Sequence, residues 1–310
     1  MSKKKTYRIR NWHDYNKALV NRGSLTVWFD SKSIAGWHSQ PPNGSRGRPQ
    51  IYSDLAIECC LTLNMVFKMP LRATQGFVSS LIELLDLPLS APNYSLLCLR
   101  QKKLSLRFSS QTKLNQPMHL VIDSTGLKLY GEGEWKVRKH GKEKRRSWLK
   151  LHLAVDDVSQ SIQASLLTAD DVHDCEVLPG LLDQIEQPID QVTGDGAYDT
   201  HDAYASVIEK GASPCFPPRK NATRHNPTDE AYRLRNHAVS QVHYHSLKYW
   251  KKKHRYHRRS LAETTMWRFK QLLGDRVQAR TMAAQSREIG IKCLVMNKMN
   301  QLGMPVVLRA

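Results

Sequence analysis

Apolar residues recur at helical spacing through much of the first hundred residues. The stretches 55–67 and 71–85 are apolar-rich with the spacing of amphipathic helices. The sequence "PLSAPN" at 88–93 interrupts this pattern, and a short third helix that includes Arg100 near its basic end is predicted after it. Two helices, a turn and a basic third helix are typical of a helix-turn-helix-like DNA-binding region. A plain helical bundle with a solvated basic end gives the same pattern.

From about residue 117 the apolar period changes to two, which is typical of strands. The sequence "HLVIDST" (119–125) predicts a strand, and 148–157 with 161–169 predicts a hairpin around a short polar turn. Another strand is predicted to end in the turn "TGDGAYD" at 193–199. Because strands and helices alternate after the hairpin, this part of the chain is predicted to form a mixed α/β sheet.

The end of the chain returns to helical spacing. Long helices are predicted from about 256 to 275 and from about 284 to 302. The stretch 220–247, which precedes them, is polar and rich in histidine. It is predicted to be a loop or an insertion.

The composition is that of a globular protein with a large excess of positive charge. Forty per cent of the 310 residues are hydrophobic, and the formal net charge is +19. Residues 1–117 carry a net charge of +11 and residues 248–310 a net charge of +12, whereas residues 118–247 carry −4. Two basic flanks around an acidic middle favour a nucleic-acid-binding protein over a membrane-surface protein.

Cysteine usage and hydropathy indicate where the protein works. The six cysteines lack the spacing of zinc ligands and are expected to be reduced thiols. No run of about 18 apolar residues occurs, and no apolar signal segment follows the N-terminal lysines. We therefore expect a soluble, untargeted protein of the cytosol.

Two basic runs and one short motif are candidates for DNA contact. Lysine and arginine make up eight of fifteen residues at 136–150 and seven of twelve at 248–259, with aromatic residues interleaved or at the edges. The motif "RGRP" within the Pro/Gly-rich stretch 41–50 resembles an AT-hook, although a linker is the simpler interpretation. The candidate residues in these segments are Lys139, Arg145, Arg146, Lys252, Arg46 and Arg48.

Two aspartates lie where the chemistry of a metal site is expected. Asp123 is at the end of an apolar run on a predicted central strand, and Asp195 lies between two glycines after another strand. Glycines beside an acid allow tight turning and close backbone approach, although an Asp-Gly turn often has no role. Asp156 and Asp157 are predicted to belong to a hairpin turn, and Asp170, Asp171 and Asp174 are candidates to cap the helix that follows.

The helix predicted from about 256 carries one polar stripe. At about 100° per residue, Tyr256, Arg259, Glu263 and Lys270 share a stripe roughly 60° wide, opposite an apolar face. The helix is therefore predicted to pack by its apolar face and to present an aromatic ring, two cations and a carboxylate. An ordinary solvated face has the same spacing.

These residues resemble DDE transposases, most closely those of insertion-sequence family 5. Asp123 in "VIDSTGLK", Asp195 in "GDGAYD" and Glu263 within Y-x(2)-R-x(3)-E-x(6)-K resemble the acid triad and the signature of that family. Further stretches that resemble the same family make the likeness extend over nearly the whole chain: 22–30, 46–58, 130–156 and 217–222.

The resemblance implies an RNase H-like catalytic core preceded by a helical DNA-binding region. On this basis the chain is expected to contain a helical DNA-binding region at 1–115 and an RNase H-like domain at 116–280. The second of these would hold a polar insertion at about 219–247, and a helical tail would follow at 281–310.

The resemblance also implies cofactors and partners. Tyr256, Arg259 and Lys270 would contact the backbone of the transposon end, and Arg100 would take part in sequence readout. The cofactor would be Mg²⁺, as two ions that Mn²⁺ can replace. The partners would be double-stranded DNA, as terminal inverted repeats and target, and further copies of the chain in a homodimer or larger oligomer.

Elementary chemistry agrees with a metal site made of three acids. In-line phosphodiester cleavage is served by two Mg²⁺ ions about 3.5–4 Å apart, one for the attacking and one for the leaving oxygen. Mg²⁺ takes oxygen ligands and keeps several waters, so Asp123, Asp195 and Glu263 would suffice. A transposase-derived DNA-binding protein is one alternative, which the three acids disfavour. A nuclease without strand transfer is another, which the same acids would serve.

Overall fold

The structure is a computed structural model that describes residues 7–39, 49–108, 116–129 and 148–309. The chain divides into two compact units. One contains the residues up to Leu106 together with those from Gly290 onward, and the other contains Arg107–Ile289.

The first unit is helical and is closed by a small sheet. Strand β1, Tyr7–Ile9, pairs antiparallel with β8, Val307–Arg309, at the other end of the chain. The helices between them are α1 Trp12–Asn21, α2 Leu25–Trp28, α3 Ser31–Ala35, α4 Asp54–Val66, α5 Leu71–Leu84 and α6 Tyr94–Gln101.

The three helices predicted before residue 110 are confirmed as α4, α5 and α6. Polar side chains cap two of them: the Ser53 hydroxyl accepts from the amide of Ala56, and the Asn93 carbonyl accepts from the amide of Leu96. Residues 67–70 join α4 to α5, which matches the short connection of a helix-turn-helix. Residues 85–93 make a longer connection to α6.

The end of the chain, predicted as a helical tail at 281–310, belongs to this first unit from Gly290 onward. From Gly290 onward helix α12, Met282–Leu302, belongs to this unit, and its residues Ile291, Val295 and Met296 are buried. Further along, Lys298 Nζ lies 3.2 Å from Asp30 Oδ2. Apolar packing, this ion pair and the pairing of β8 with β1 together hold the end of the chain in the first unit.

The second unit is built on a six-stranded mixed sheet in the order β4-β3-β2-β5-β6, with β7 also pairing with β2. Strands β2, β3 and β4 form an antiparallel meander, and β5, β6 and β7 join parallel to β2 or to each other. The strands are β2 Met118–Leu129, β3 Trp148–Asp156, β4 Ile162–Ala169, β5 Ile189–Thr193, β6 Ser213–Cys215 and β7 Arg276–Val277. The predicted hairpin and the RNase H-like mixed sheet are confirmed.

The two faces of the sheet are covered by different helices. Leu120 and Ile122 of β2 belong to a core that includes α7, Asp174–Leu182, and α8, His201–Glu209. Side chains alternate along a strand, so Val121 and Asp123 point to the opposite face. On that face α11, Ser260–Leu273, contacts β2 and β3 and buries Ala262, Met266, Phe269 and Leu273.

The prediction of a loop at 220–247 was wrong for much of that stretch. Helix α9 spans Glu230–Tyr244, and the shorter helix α10, Leu247–Lys253, follows it. The buried stripe of α9 contains Ala231, Ala238 and Val239, but also Arg235 and Gln241. Because these two buried residues are polar, the apolar residues of the segment do not show helical spacing in the sequence. In the described ranges, none of the helices has both the length and the apolar character needed to cross a bilayer.

Candidate active site

Asp123 and Asp195 lie side by side on neighbouring strands. Strands β2 and β5 run parallel, and Val121 is opposite Thr193 in their register. Each aspartate lies two residues beyond its member of that pair, on neighbouring chain segments that are about 4.8 Å apart in a sheet. Strand β7 joins the same edge of β2 at Lys128, so Asp123 lies in the interval between two neighbouring strands. The pattern of the sequence predicted both strands, and the structure brings the two acids together.

Gly194 makes room for the turn that carries Asp195. A Cβ at this position would lie 2.6 Å from the Tyr198 ring and 3.1 Å from both Ile122 and Phe216. Tyr198 and Phe216 are buried and their rings stack with centroids 5.6 Å apart, so neither can move aside easily. The glycine is therefore required by close packing directly before the acid.

A short 3-10 helix, Gly196–Tyr198, fixes the orientation of the Asp195 side chain. Asp195 is the N-cap of this helix, and its Oδ1 accepts a hydrogen bond of 2.8 Å from the amide of Ala197. An acid in this position satisfies a backbone donor that the helix leaves unpaired. One oxygen of Asp195 is thus held by the backbone.

Arg259 lies among the three predicted acids. Its Nη1 is 3.2 Å from Asp123 Oδ2, and its Nη2 donates to Glu263 Oε1 in the first turn of α11. Asp195 is close enough to contribute to the electrostatic environment of both Arg259 and Asp123. Three carboxylates therefore converge near one guanidinium, and the negative charges outnumber the positive charge.

The pKa values of this group report the imbalance. Burial is the main cause that raises the pKa of Asp123 above its ordinary value. Arg259 and the amide of Ser124 oppose this rise, and the charges of Asp195 and Glu263 add to it. Burial lowers the pKa of Arg259, but the neighbouring Tyr256 and the three acids outweigh it and raise that pKa.

The three carboxylates have the chemistry that a divalent cation requires. Their spacing in the structure, however, accommodates the guanidinium of Arg259. Three carboxylates supply the hard oxygen ligands that Mg²⁺ and Mn²⁺ prefer. Within the ranges that the structure describes, no three His, Cys, Asp or Glu side chains are arranged to hold a metal ion. Arg259 pairs with Asp123 and Glu263, and the Glu263 side chain is 53% exposed, so it can change rotamer without repacking the core.

Tyr256 does not share the exposed stripe that helical spacing predicted. It lies in a 3-10 helix, Tyr256–Arg259, that precedes α11, and it is buried against Trp250 with ring centroids 5.8 Å apart. Arg255 before it has a φ of 52°, which interrupts the helical path. The 100° rotation assumed from the sequence therefore fails at this end. Lys270 lies further along α11 and is half-buried.

The other predicted DNA contacts differ in what surrounds them. Arg100 donates to the carbonyl of Tyr52 at 3.1 Å and lies 2.6 Å from Asp54, so it is engaged within the helical unit. Lys252 is exposed on α10. Five of the candidates lie outside the described residues: Arg46, Arg48, Lys139, Arg145 and Arg146.

A polar network beside the acids was missed in the sequence. The sequence predicted only turn chemistry for Asp157, yet its side chain is buried and contacts both His119 Nδ1, at 2.9 Å, and Arg258. The opposite ring nitrogen of His119 lies 2.8 Å from the Thr193 hydroxyl. Burial raises the pKa of Asp157, and its partners His119 and Arg258 more than offset this and lower it. The network links β2 and β5 to the segment that carries Arg259.

Two family models match this chain, and each is described as a transposase DDE domain. One matches residues 20–132. The other matches residues 114–298, which is more than half of the chain and includes the whole sheet and α11. These matches and the RNase H-like sheet agree with the acid cluster, and they indicate a metal-dependent enzyme that acts on DNA. The chain belongs to the DDE transposases.

Proposed function

We propose that this protein is a transposase of insertion-sequence family 5. It binds the terminal inverted repeats of its own element, cleaves the DNA there and joins the freed end to target DNA. Asp123, Asp195 and Glu263 are the catalytic acids and would hold two divalent ions, Mg²⁺ or Mn²⁺. The observation that carries the proposal is the convergence of these three carboxylates near Arg259, beside the end of β5.

The reaction consists of two phosphoryl transfers. In the first, a water oxygen attacks the phosphorus at the element's end and the bond from phosphorus to the 3′ oxygen breaks. The products are a 3′-hydroxyl on the element and a 5′-phosphate on the flanking DNA, and the proton lost by water is balanced by protonation of the 3′ oxygen. In the second, that 3′-hydroxyl attacks a target phosphodiester, and the target's own 3′ oxygen leaves.

The residues of this chain supply positioning and charge for both steps. Divalent ions, when bound, would activate the attacking oxygen and stabilise charge on the leaving oxygen. Asp123 is fixed by the register of β2, and Asp195 by its N-cap hydrogen bond to Ala197. Glu263 lies on the first turn of α11 and is the most exposed of the three acids. Its side chain can therefore complete the site after Arg259 releases it.

Arg259 has a second role in this scheme. Its guanidinium pairs with two acids, and it would exchange these partners for a DNA phosphate near the cleaved bond. Lys270 would contact the same strand from further along α11. Because Tyr256 is buried, we expect it to hold the Arg259 segment in place and to reach the DNA only by the edge of its ring.

The helical unit is proposed to recognise the terminal repeats. The connection of four residues between α4 and α5 suits a helix-turn-helix, and Lys102 and Lys103 are exposed at the end of α6. Arg100 would support this surface through its contacts to Tyr52 and Asp54. The basic segment at 136–150 would add sequence-independent phosphate contacts. Joining two ends of one element would require a homodimer or a larger oligomer.

The test is Mg²⁺-dependent cleavage of a plasmid that carries the element's terminal repeats and their flanks. The expected products are strand breaks at the repeat ends and, with a second plasmid as target, covalent joints between the two. A matched plasmid with scrambled repeats is the control. Equal cleavage of both plasmids would contradict repeat recognition. Breaks without joints would identify a nuclease that lacks strand transfer.

A further inference from the structure

Arg219 donates two hydrogen bonds to the turn that carries Asp195. It lies in the segment after β6, and its Nε donates to the carbonyl of Gly196 at 2.9 Å while its Nη2 donates to the carbonyl of Ala197 at 3.0 Å. These two carbonyls belong to the 3-10 helix that Asp195 caps. A guanidinium presents its donors in a rigid fork, so two bonds to successive carbonyls fix a backbone turn in a way that a single ammonium cannot.

A buried carboxylate ties the same segment to the turn and to α9. Asp199 Oδ2 accepts from the amide of Arg219 at 2.9 Å, and Asp199 Oδ1 lies 2.8 Å from Arg235 Nε. Arg235 also donates to the carbonyl of Thr223 at 3.1 Å. Asp199 and Arg235 are both buried. The turn, the segment after β6 and α9 are therefore held together by a closed set of polar contacts.

We propose that Arg219 is a positioning residue for Asp195. By holding the carbonyls of Gly196 and Ala197, it fixes the peptide whose amide bonds Asp195 Oδ1. Without the two Arg219 hydrogen bonds the turn is less constrained, so the Asp195 carboxylate is no longer held in position beside Asp123. The two acids then bind divalent cations less tightly. This inference rests on the proposed function, and it gives the segment after β6, which contains Arg219, a role as a brace.

The test measures metal binding directly as well as cleavage. Mn²⁺ is titrated into the full-length protein and followed by electron paramagnetic resonance, and the Mg²⁺ concentration for half-maximal cleavage is measured alongside. Changes to partners outside the metal ligands typically cost 10- to 100-fold in metal affinity. We therefore expect Arg219→Ala to weaken Mn²⁺ binding by about tenfold or more, and Arg219→Lys, which keeps the charge but has a single donor nitrogen, to weaken it less.

Two controls make the result decisive. Arg233→Ala removes a cation from the same region, but Arg233 pairs only with Glu230 among the described contacts, so Mn²⁺ binding should stay at the wild-type level. Asp195→Asn tests the proposed function itself. If Asp195→Asn loses metal and cleavage while folded Arg219→Ala keeps wild-type Mn²⁺ affinity, the positioning role is refuted and the proposed function stands. If Arg219→Ala does not fold, the same comparison is made with Arg219→Lys.

A separate observation points to a DNA contact next to this brace. A pocket of about 340 Å³ lies between the segment 218–224 and α9. Its lining includes Lys220, Arg224 and His243, with the exposed ring of Tyr244, and it contains no acidic residue. Lys220 and Arg224 are both exposed. A concave surface with cationic side chains suits a phosphate group with its sugar.

We infer that this pocket holds a backbone phosphate of the DNA strand. The prediction is tested by Lys220→Ala/Arg224→Ala in binding of a fluorescent terminal-repeat duplex over a salt series. Each lost phosphate contact lowers the salt slope by about one, so the double variant, which removes both cations from this one phosphate, should lose about one. Arg233→Ala should leave the slope unchanged. A wild-type slope in the double variant, or an equal loss in Arg233→Ala, would refute the pocket as a phosphate site.

Discussion

Strand β2 carries a carboxylate network on each of its faces, and the two networks differ in charge balance. On one face, Ser124 donates to Asp174 Oδ2 at 2.9 Å, and Lys150 Nζ lies 3.1 Å from Asp174 Oδ1. On the other face, Asp123 shares Arg259 with Glu263, and Asp195 adds a third negative charge nearby. One face pairs a single acid with a lysine, whereas the other gathers three acids around a single cation.

The difference separates a structural acid from acids that a cation would stabilise. A buried charge is costly unless it is paired and hydrogen-bonded. Asp174 meets that condition, and burial lowers the pKa of His152 beneath it to about 4, so this ring is neutral near pH 7. Asp123 is paired with Arg259 and accepts from the amide of Ser124, yet burial, together with the charges of Asp195 and Glu263, still raises its pKa. The acid that Ser124 contacts is therefore balanced by its partners, whereas the acid at the adjacent position, Asp123, is not.

The largest expected effect is on cleavage. Asp123→Asn, Asp195→Asn and Glu263→Gln should each reduce it by more than the 10- to 100-fold typical of changes to partners outside the metal ligands. Binding of repeat DNA should persist, because the basic surfaces remain. Asp174→Asn, which changes an acid on the opposite face, should leave cleavage near the wild-type rate. Near-wild-type cleavage by any of the first three variants would remove that acid from the site.

The second effect is on the free energy of unfolding, and here the Asp174 variant should lose more than the Asp123 variant. Asp174→Ala removes a nearly buried partner of Lys150 and Ser124, and a hydrogen bond to a charged group contributes about 1.5–3 kcal/mol. Its free energy of unfolding should fall by about that amount. Asp123→Asn removes a poorly balanced charge and should be as stable as the wild type or more so at neutral pH. Urea unfolding of the metal-free proteins measures both, and a large loss in Asp123→Asn would contradict the comparison.

The third effect is a dependence on pH. The pKa of Asp123 in the folded state is raised above 3.8, so its contribution to stability is fully present below that pH. The contribution is lost as the pH rises through the raised pKa. The difference in unfolding free energy between wild type and Asp123→Asn should therefore turn against the wild type as the pH increases. A divalent cation should reverse this change in the wild type only. If the difference in unfolding free energy between the two proteins stayed constant with pH, the pKa of Asp123 would be the same in the folded and the unfolded protein, and this prediction would be wrong.

Patterns along the chain predicted the sheet and the two aspartates because both depend on local rules. A period of two marked β2, β3 and β4, and the glycine before Asp195 matches the tight packing against Tyr198. The spacing of four residues placed Glu263, in the first turn of α11, beside Arg259, which caps that helix, because residues four apart share a helix face. The catalytic roles of these residues remain predictions.

Features that depend on tertiary contacts did not show in the sequence. The left-handed backbone at Arg255 turned Tyr256 inward, and no period of apolar residues reports one such φ angle. Arg235 occupies a buried position of α9 because Asp199 pairs with it, although an arginine there conceals the helix from pattern analysis. Arg219 bonds two carbonyls, and backbone acceptors leave no trace in residue identity.

The smallest expected effect separates Arg259 from the lysines of α10. Arg259→Ala should impair cleavage in preassembled complexes more than it impairs first contact with DNA, because Arg259 lies among the acids rather than on the open surface. Its loss should lower the salt slope of the assembled complex by about one. Lys252 and Lys253 are exposed, so they act mainly as long-range attraction, whereas Lys251 Nζ lies 5.2 Å from the centre of the Tyr256 ring. Changing Lys252 and Lys253 to alanine should slow association at low salt, and the defect should fade as the salt concentration rises. If both sets of variants behaved alike in the binding and cleavage assays, the contacts of Arg259 with Asp123 and Glu263 would have no special part in the reaction.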